Sequence, residues 1–478
     1  MKNVFLFIAV FFAVNSVWAQ WEPAVRLTDD PGSSMTSGFT SSHTIAASGD
    51  SIHIVWYDDR SGENEIYYKR STDGGLTWGE DVRLTSRDSV SVNPSIAVSG
   101  SVVHVAWTDY LGSSVTGEIY YKRSTDGGNT WSEDTQLSDN PGYYTWAPCM
   151  AVSGSTIHLV YYTFLSGSGE IFYLRSPDSG LTWEPVNQLT NDQSISAWPS
   201  ISAIGPVLHV AWYDRRDGND EIYYKRSTDA GITWGPDIRL TNYPLSSAFP
   251  CIGASESDVH IVWEESRDGN SQIYYKRSTD GGISWGEDTR LTNTSGASYY
   301  NNIAVSGLGL FVVWADERDG NWEIYYKCSL DGGNSWEQDV RLTNDQSESN
   351  IPYIATSDPQ VHVIWYDNRE INFEIFYKRD PTGVIQVGFD DDLASNSDLL
   401  FRVYPNPASS IIYVQIDEPL TGQSFLTIRD ILGETVLQEQ IQSQESIVYV
   451  SNMENGIYLV EVITNEGKVY SRKLIIQK

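Results

Sequence analysis

At 478 residues the chain is too long for one ordinary core and predicts two or more domains. Its 31 Lys and Arg against 63 Asp and Glu leave a net charge of −32, which argues against nucleic acid and anionic lipid as partners. The 17 Trp and 29 Tyr favour both strands and sugar-stacking surfaces.

In chain order, Lys2, the apolar run Val4 to Val14 and the small Ala19 predict a signal peptide over residues 1–19, cleaved before Gln20. No later stretch is long and apolar enough for a transmembrane helix. Export permits disulfides, but the only cysteines are Cys149, Cys251 and Cys328, and no disulfide framework is expected.

Residues 20–380 follow a period near 51 residues. Its mark is Ser-x-Asp-x-Gly-x-x-Trp, first at Ser71 to Trp78, with the aspartates Asp73, Asp126, Asp178, Asp229, Asp280 and Asp331 spaced by 53, 52, 51, 51 and 51. Each box is flanked by strand patterns, Glu65 to Arg70 before it and Val82 to Thr85 after, and two further strands precede these. Four short strands repeated in this way predict an all-β fold, a β-propeller of four-stranded blades.

A strand ending in His-x-x-Trp occurs in seven units with small variations, the seventh at His362 to Trp365, although there are only six boxes. The seventh unit lacks its box and fourth strand, and Ala24 to Thr28 has the pattern of that missing strand. Seven blades are therefore expected, with residues 24–28 pairing with 374–379 to remove an open edge. The box reads as a turn device. Its glycine permits positive φ, its aspartate accepts backbone N–H groups, and its tryptophan is expected to pack back on the blade.

These boxes resemble the Asp-box (BNR) repeat of sialidase-like propellers, over roughly residues 21–380. The resemblance implies structural boxes on the outer hairpins, away from the ligand face. Calcium at the boxes is the alternative reading, which no motif supports, and no cofactor or metal is assigned. The family's sialidases carry an Arg-Ile-Pro motif and three arginines around a carboxylate. Arg-Ile-Pro is absent here, and no catalytic residue is assigned.

Residues 381–401, with Asp390-Asp391-Asp392 and a Ser/Asn stretch, read as a linker. Residues 402–478 then predict a small Ig-like β-sandwich. The Tyr404-Pro405-Asn406-Pro407-Ala408 opening, the Gly456-Ile457-Tyr458-Leu459 strand and the basic-aliphatic end Arg472 to Ile476 resemble the type A sorting domain of the type IX secretion system of Bacteroidetes-like bacteria. That resemblance implies the type IX secretion machinery as partner, and a secreted or outer-membrane-surface location.

Candidate chemistry is sparse. His53, His104, His158, His209, His260 and His362 share one repeat position with Phe311, which reads as packing and not as a metal ring. The Asp-x-Arg loops offer Arg60, Arg215, Arg267, Arg318 and Arg369, either as turn-stabilising ion pairs or as an anionic-sugar site. Where the repeat breaks, Tyr143, Tyr144, Trp146 and Trp198 are candidates for sugar stacking or protein contact, or for plugging the channel; Tyr299, Tyr300 and Trp322 form a second aromatic cluster. The expected function is non-catalytic recognition of a glycan or a surface protein. The alternatives are a divergent exo-acting glycoside hydrolase, with carboxylates among Asp58, Asp214, Glu264 and Asp316, and a structural surface or adhesion component.

Overall fold

A computed structural model describes residues 21–382, apart from 39–41, 112–115, 141, 166, 268 and 370–371, and the strands with some connecting residues of 401–476. The signal-peptide segment 1–19 and most of the linker lie outside the described residues. The chain divides into two compact units, Met1–Gln386 and Val387–Lys478, and the described secondary structure is all strand.

The first unit contains seven antiparallel sheets in blade order. Blade four is representative, with strands Ser196–Ile204, Val207–Asp214, Glu221–Ser227 and Ile238–Arg239 paired in sequence. Blade seven takes its outer strand from the start of the chain, with Val25 opposite Tyr377 and Arg26 opposite Phe376. The pairing expected from the sequence is present. One hydrophobic cluster joins Ile45, Ile52 and Trp56 of blade one to Tyr353, Ile364 and Ile375 of blade seven.

Second strands are buried on both faces because each sheet is sandwiched between neighbours. Trp56, Trp107, Trp212, Trp263, Trp314 and Trp365 are almost fully buried. Each indole N–H donates to the carboxylate two residues further along the same strand, for example Trp212 to Asp214 at 2.9 Å. That bond satisfies a polar atom that burial would otherwise penalise.

In the first box, Asp73 accepts the Thr77 N–H at 2.9 Å and the Thr77 hydroxyl at 2.5 Å, while the Ser71 hydroxyl accepts the Gly75 N–H at 2.8 Å. These bonds hold the Asp73 carboxyl down at about 2. The box tryptophan packs against a cluster drawn from its own blade and the preceding one, and its ring contact is with the preceding blade: Trp131 meets Tyr68 edge-on and Trp78 meets Tyr377. The reason is close approach. At Gly128 (φ +90°) a Cβ would lie 2.0 Å from the Tyr68 hydroxyl, so glycine lets one blade's tyrosine press against the next blade's box.

The repeated histidine positions that tyrosine. In all six cases its Nδ1 shares a hydrogen bond of 2.7–2.8 Å with the hydroxyl, so the position needs more than bulk. Blade six has Phe311 for the histidine and Cys328 for the arginine that in four other blades reaches a box carbonyl, as Arg123 reaches Ser179 at 2.7 Å. Blade seven has no box for them to meet. In its place Trp21 meets Tyr326 edge-on at 5.0 Å and 78°. The six box pairs have 4.9–5.0 Å and 74–76°.

The second unit is a small sandwich of two sheets. One holds Phe401–Tyr404, Ile411–Ile416 and Glu445–Tyr449; the other holds Thr435–Ile441, Ser424–Arg429, Gly456–Ile463 and Val469–Ile476. Ile412, Val414 and Val448 of the first pack with Leu426, Val460 and Leu474 of the second in one core.

Candidate functional site

Each inner strand of blades two to seven carries a bulge where the register slips, and a non-glycine residue there takes positive φ. These residues are Asn93, Ala147, Trp198, Phe249, Tyr300 and Ile351, with φ between 47° and 60°. Such backbone is costly for residues with a Cβ and persists only where packing overrides the strain. Trp198 and Phe249 thereby enter one aromatic system, and Tyr300 a second one with Tyr299.

In the first system Tyr110 meets Trp146 at 6.1 Å, Trp146 meets Trp198 at 6.4 Å, and Trp198 contacts Tyr162 at 5.0 Å and Phe249 at 6.1 Å. Beside it lies a cavity of about 580 Å³ lined by Tyr143, Tyr144, Trp146, Tyr162 and Phe164, with Gly142 and Gly167 at its edge. Tyr144 is 40% exposed, Tyr143 and Trp146 are half-buried, and Trp198 is buried. Of the four aromatic candidates, three line the cavity and Trp198 supports Trp146 from beneath.

The arginine candidates are engaged with the protein's own carboxylates. Arg60 pairs with Asp58 at 2.6 Å, Asp30 at 2.5 Å and Asp81 at 2.7 Å, and its guanidinium lies 4.3 Å over the Tyr67 ring. Arg267 pairs with Glu265 and Asp288 at 2.9 Å, and Arg318 with Asp316 and Asp339 at 2.7 Å. Arg369 pairs with Asp367 at 2.5 Å and covers Phe376. In blade four the equivalent residue is Arg216, not Arg215: Arg216 bridges Asp192, Asp214 and Asp237 and covers Tyr223. Arg215 is half-exposed and held by Asp220 at 2.5 Å.

Several of these pairs cross between blades, since Asp30 and Asp192 follow the outer strands of the preceding sheets. The repeated lysine works alongside them, as where Lys276 Nζ donates to the Leu240 carbonyl at 2.8 Å and pairs with Asp288 at 2.9 Å. Arginine, lysine and aspartate form an inter-blade strut with little positive charge left over for an anionic sugar.

One carboxyl stands apart. Asp58, Asp214 and Asp316 spend their oxygens on arginine, serine and indole donors and are held below the usual range. Glu264 is buried and accepts the Tyr300 N–H at 2.7 Å, and burial raises it to about 8. It therefore holds its proton at neutral pH. Tyr299 and Tyr300 lie beside it, and the Tyr299 ring is 5.7 Å from Trp322. The signal was present in the repeat, because Glu264 occupies the position of Tyr57, Tyr162, Tyr213 and Tyr366.

Comparisons with known proteins agree with this architecture. Residues 57–363 match the BNR repeat-like domain family, and residues 402–477 match the secretion system C-terminal sorting domain. A sialidase of Micromonospora viridifaciens is 27% identical over 272 residues, covering 48% of this chain and 41% of the relative. A sialidase of Bacteroides fragilis is 22% identical, covering 49% of this chain and 50% of the relative. The chain thus spans half or less of the length of these relatives. Among solved structures, an ulvan lyase of a polysaccharide lyase family superimposes with TM-score 0.54 at 13% identity, covering 74% of this chain and 95% of that one, which supports the fold alone. Among the described residues no helix is long and apolar enough to cross a membrane. The chain belongs to the BNR repeat-like family, a sialidase-like β-propeller that its C-terminal sorting domain directs through type IX secretion to the cell exterior or outer-membrane surface.

Proposed function

We propose that the propeller is a non-catalytic recognition module for glycans, binding at the aromatic cavity bordered by Tyr143, Tyr144 and Trp146. The observation that carries this reading is an open cavity of about 580 Å³ whose walls are rings, one of them 40% exposed. A sugar's C–H face stacks on such rings while its hydroxyls stay solvated. Paired arginines weigh against a carboxylate-binding centre of the sialidase kind. A surface protein presenting a small apolar knob is the competing ligand.

The test is a glycan array with the full secreted chain, together with a panel of fluorogenic glycosides. Binding without turnover, lost in Tyr144→Ala and Trp146→Ala at unchanged melting temperature, is the expected result. The second reading, a divergent exo-acting glycoside hydrolase, draws on Glu264, a protonated carboxyl of the kind that can serve as general acid. Turnover abolished by Glu264→Gln would establish it in place of recognition.

A further inference from the structure

Among the described residues, six of the seven blades carry a guanidinium over the ring of the third strand. Five come from the strand-two loops: Arg60 over Tyr67, Arg216 over Tyr223, Arg267 over Tyr274, Arg318 over Tyr325 and Arg369 over Phe376. Blade two has no such loop arginine, yet Arg87 arrives from the preceding connection to cover Tyr120 at 4.4 Å and meet Asp134 at 3.2 Å. Blade three has none. There Phe164 to Ser168 replace the arginine loop, Leu174 replaces the lysine present in the other six blades, and Val186 replaces the aspartate of Asp81, Asp134, Asp237, Asp288 and Asp339. The whole strut has been exchanged for apolar side chains at one boundary.

The place it vacates is open. A cavity of about 410 Å³ lies between blades two and three, with Leu137, Leu174, Val186 and Tyr161 among its walls. Leu137 follows the pattern of Leu84 and Leu240, whose carbonyls receive the neighbouring lysines at the other boundaries. Val186 is 52% exposed, so the slot is reached from solvent, and Thr135, Gln136 and Asp139 stand exposed along it. The same connection lines both cavities, Thr135–Asn140 the slot and Gly142–Trp146 the aromatic one.

We infer that the boundary between blades two and three is an extended cleft for a neutral oligosaccharide, with a stacking subsite at Tyr144 and Trp146 and a second subsite in the slot at Leu174 and Val186. This rests on the glycan reading above and adds the ligand's charge class and length. Charge selects the class. Among the described residues no lysine or arginine lines either cavity, whereas the slot carries the carboxylates of Asp139 and Glu184, the latter paired with Arg175. A uronate or sulfate would meet like charge in a chain already at −32. The exposed Val186 and Tyr144, interleaved with amide, hydroxyl and carboxylate groups, suit a sugar's alternating faces.

The experiment is calorimetry on the full secreted chain with ladders from disaccharide to hexasaccharide, neutral (cello-, xylo-, manno- and malto-) and acidic (oligogalacturonate). The expected result is binding to a neutral ladder that tightens about tenfold with length, corresponding to ~1.4 kcal/mol. Leu174→Lys with Val186→Asp rebuilds the strut used elsewhere and fills the slot. It should leave the shortest bound oligosaccharide within twofold and abolish the gain with length. Val186→Arg, at an exposed position, gives the same readout should the double variant fail to fold. Tyr144→Ala should weaken every length. A length gain that survives both slot variants overturns the cleft while leaving the stacking site standing. Acidic oligosaccharides binding as tightly as neutral ones overturn the charge class. Binding to neither ladder overturns the cleft together with the glycan reading.

Discussion

Removing the ring of Trp21 tests how the seventh blade is completed. Trp21 is half-buried and contacts Tyr326 with the geometry of the six box tryptophans. Full truncation of a buried tryptophan costs ~3–5 kcal/mol, so a half-buried one costs roughly 2 kcal/mol, including its edge-on ring contact. For a propeller of this size that lowers the melting temperature by about 3 °C, scaling down the per-kcal shift of smaller domains. Deleting residues 21–28 should be far worse. It removes buried Leu27, worth about 2–3 kcal/mol. It also strips Arg26 and Thr28 from Glu374, whose side chain is fully buried, a loss of roughly 3–5 kcal/mol. With the tryptophan these terms approach the whole stability of a typical domain, about 5–15 kcal/mol, and leave the edge of Glu374–Asp380 unpaired. Thermal unfolding by circular dichroism and size-exclusion chromatography are the assays. Trp21→Ala should melt a few degrees low and elute as the wild type does, and the deletion should aggregate or fail to fold. A deletion variant that elutes and melts like the wild type would refute the reasoning.

Gly128→Ala forces a Cβ onto the Tyr68 hydroxyl at φ +90° and should cost roughly 2–4 kcal/mol in denaturant unfolding, whereas Gly100→Ala, with open space around it, should cost only its backbone strain. Arg216→Ala leaves buried Asp214 without its strongest partner and should destabilise by about 3–5 kcal/mol, against under ~1 kcal/mol for the half-exposed Arg215→Ala. Burial lowers the six repeated histidines from 6.5 to about 3–4, so the unfolded chain binds protons first as pH falls. Their contribution is complete above pH 6.5 and is lost between 6.5 and about 3; a melting temperature flat across that window would contradict it, and His209→Phe should reduce the slope. Deleting residues 402–478 should leave the propeller inside the cell envelope, measured by fractionation, because the sorting domain is the export signal.

The blade count was legible in the order of residues because a propeller blade cannot bury its faces alone. Repetition of His-x-x-Trp therefore counts sheets, and an orphan strand such as Ala24 to Thr28 must find the blade that lacks one. The aromatic cavity was legible in part, since Tyr143, Tyr144 and Trp146 stood out as departures from the period. Contacts between blades were not legible, because their partners lie some fifty residues apart and the period is silent on which neighbour a side chain faces. Only the assembled sheets put Trp131 on Tyr68, chose Arg216 over Arg215, and brought Arg87 into the place of a missing loop arginine. The raised Glu264 is likewise a product of burial, which one-dimensional order does not contain. The repeat determined how many blades there are and how each is built. Packing between blades decided which charges are neutralised and which boundary is left open, because an ion pair and a cavity both depend on distances that exist only after the sheets come together.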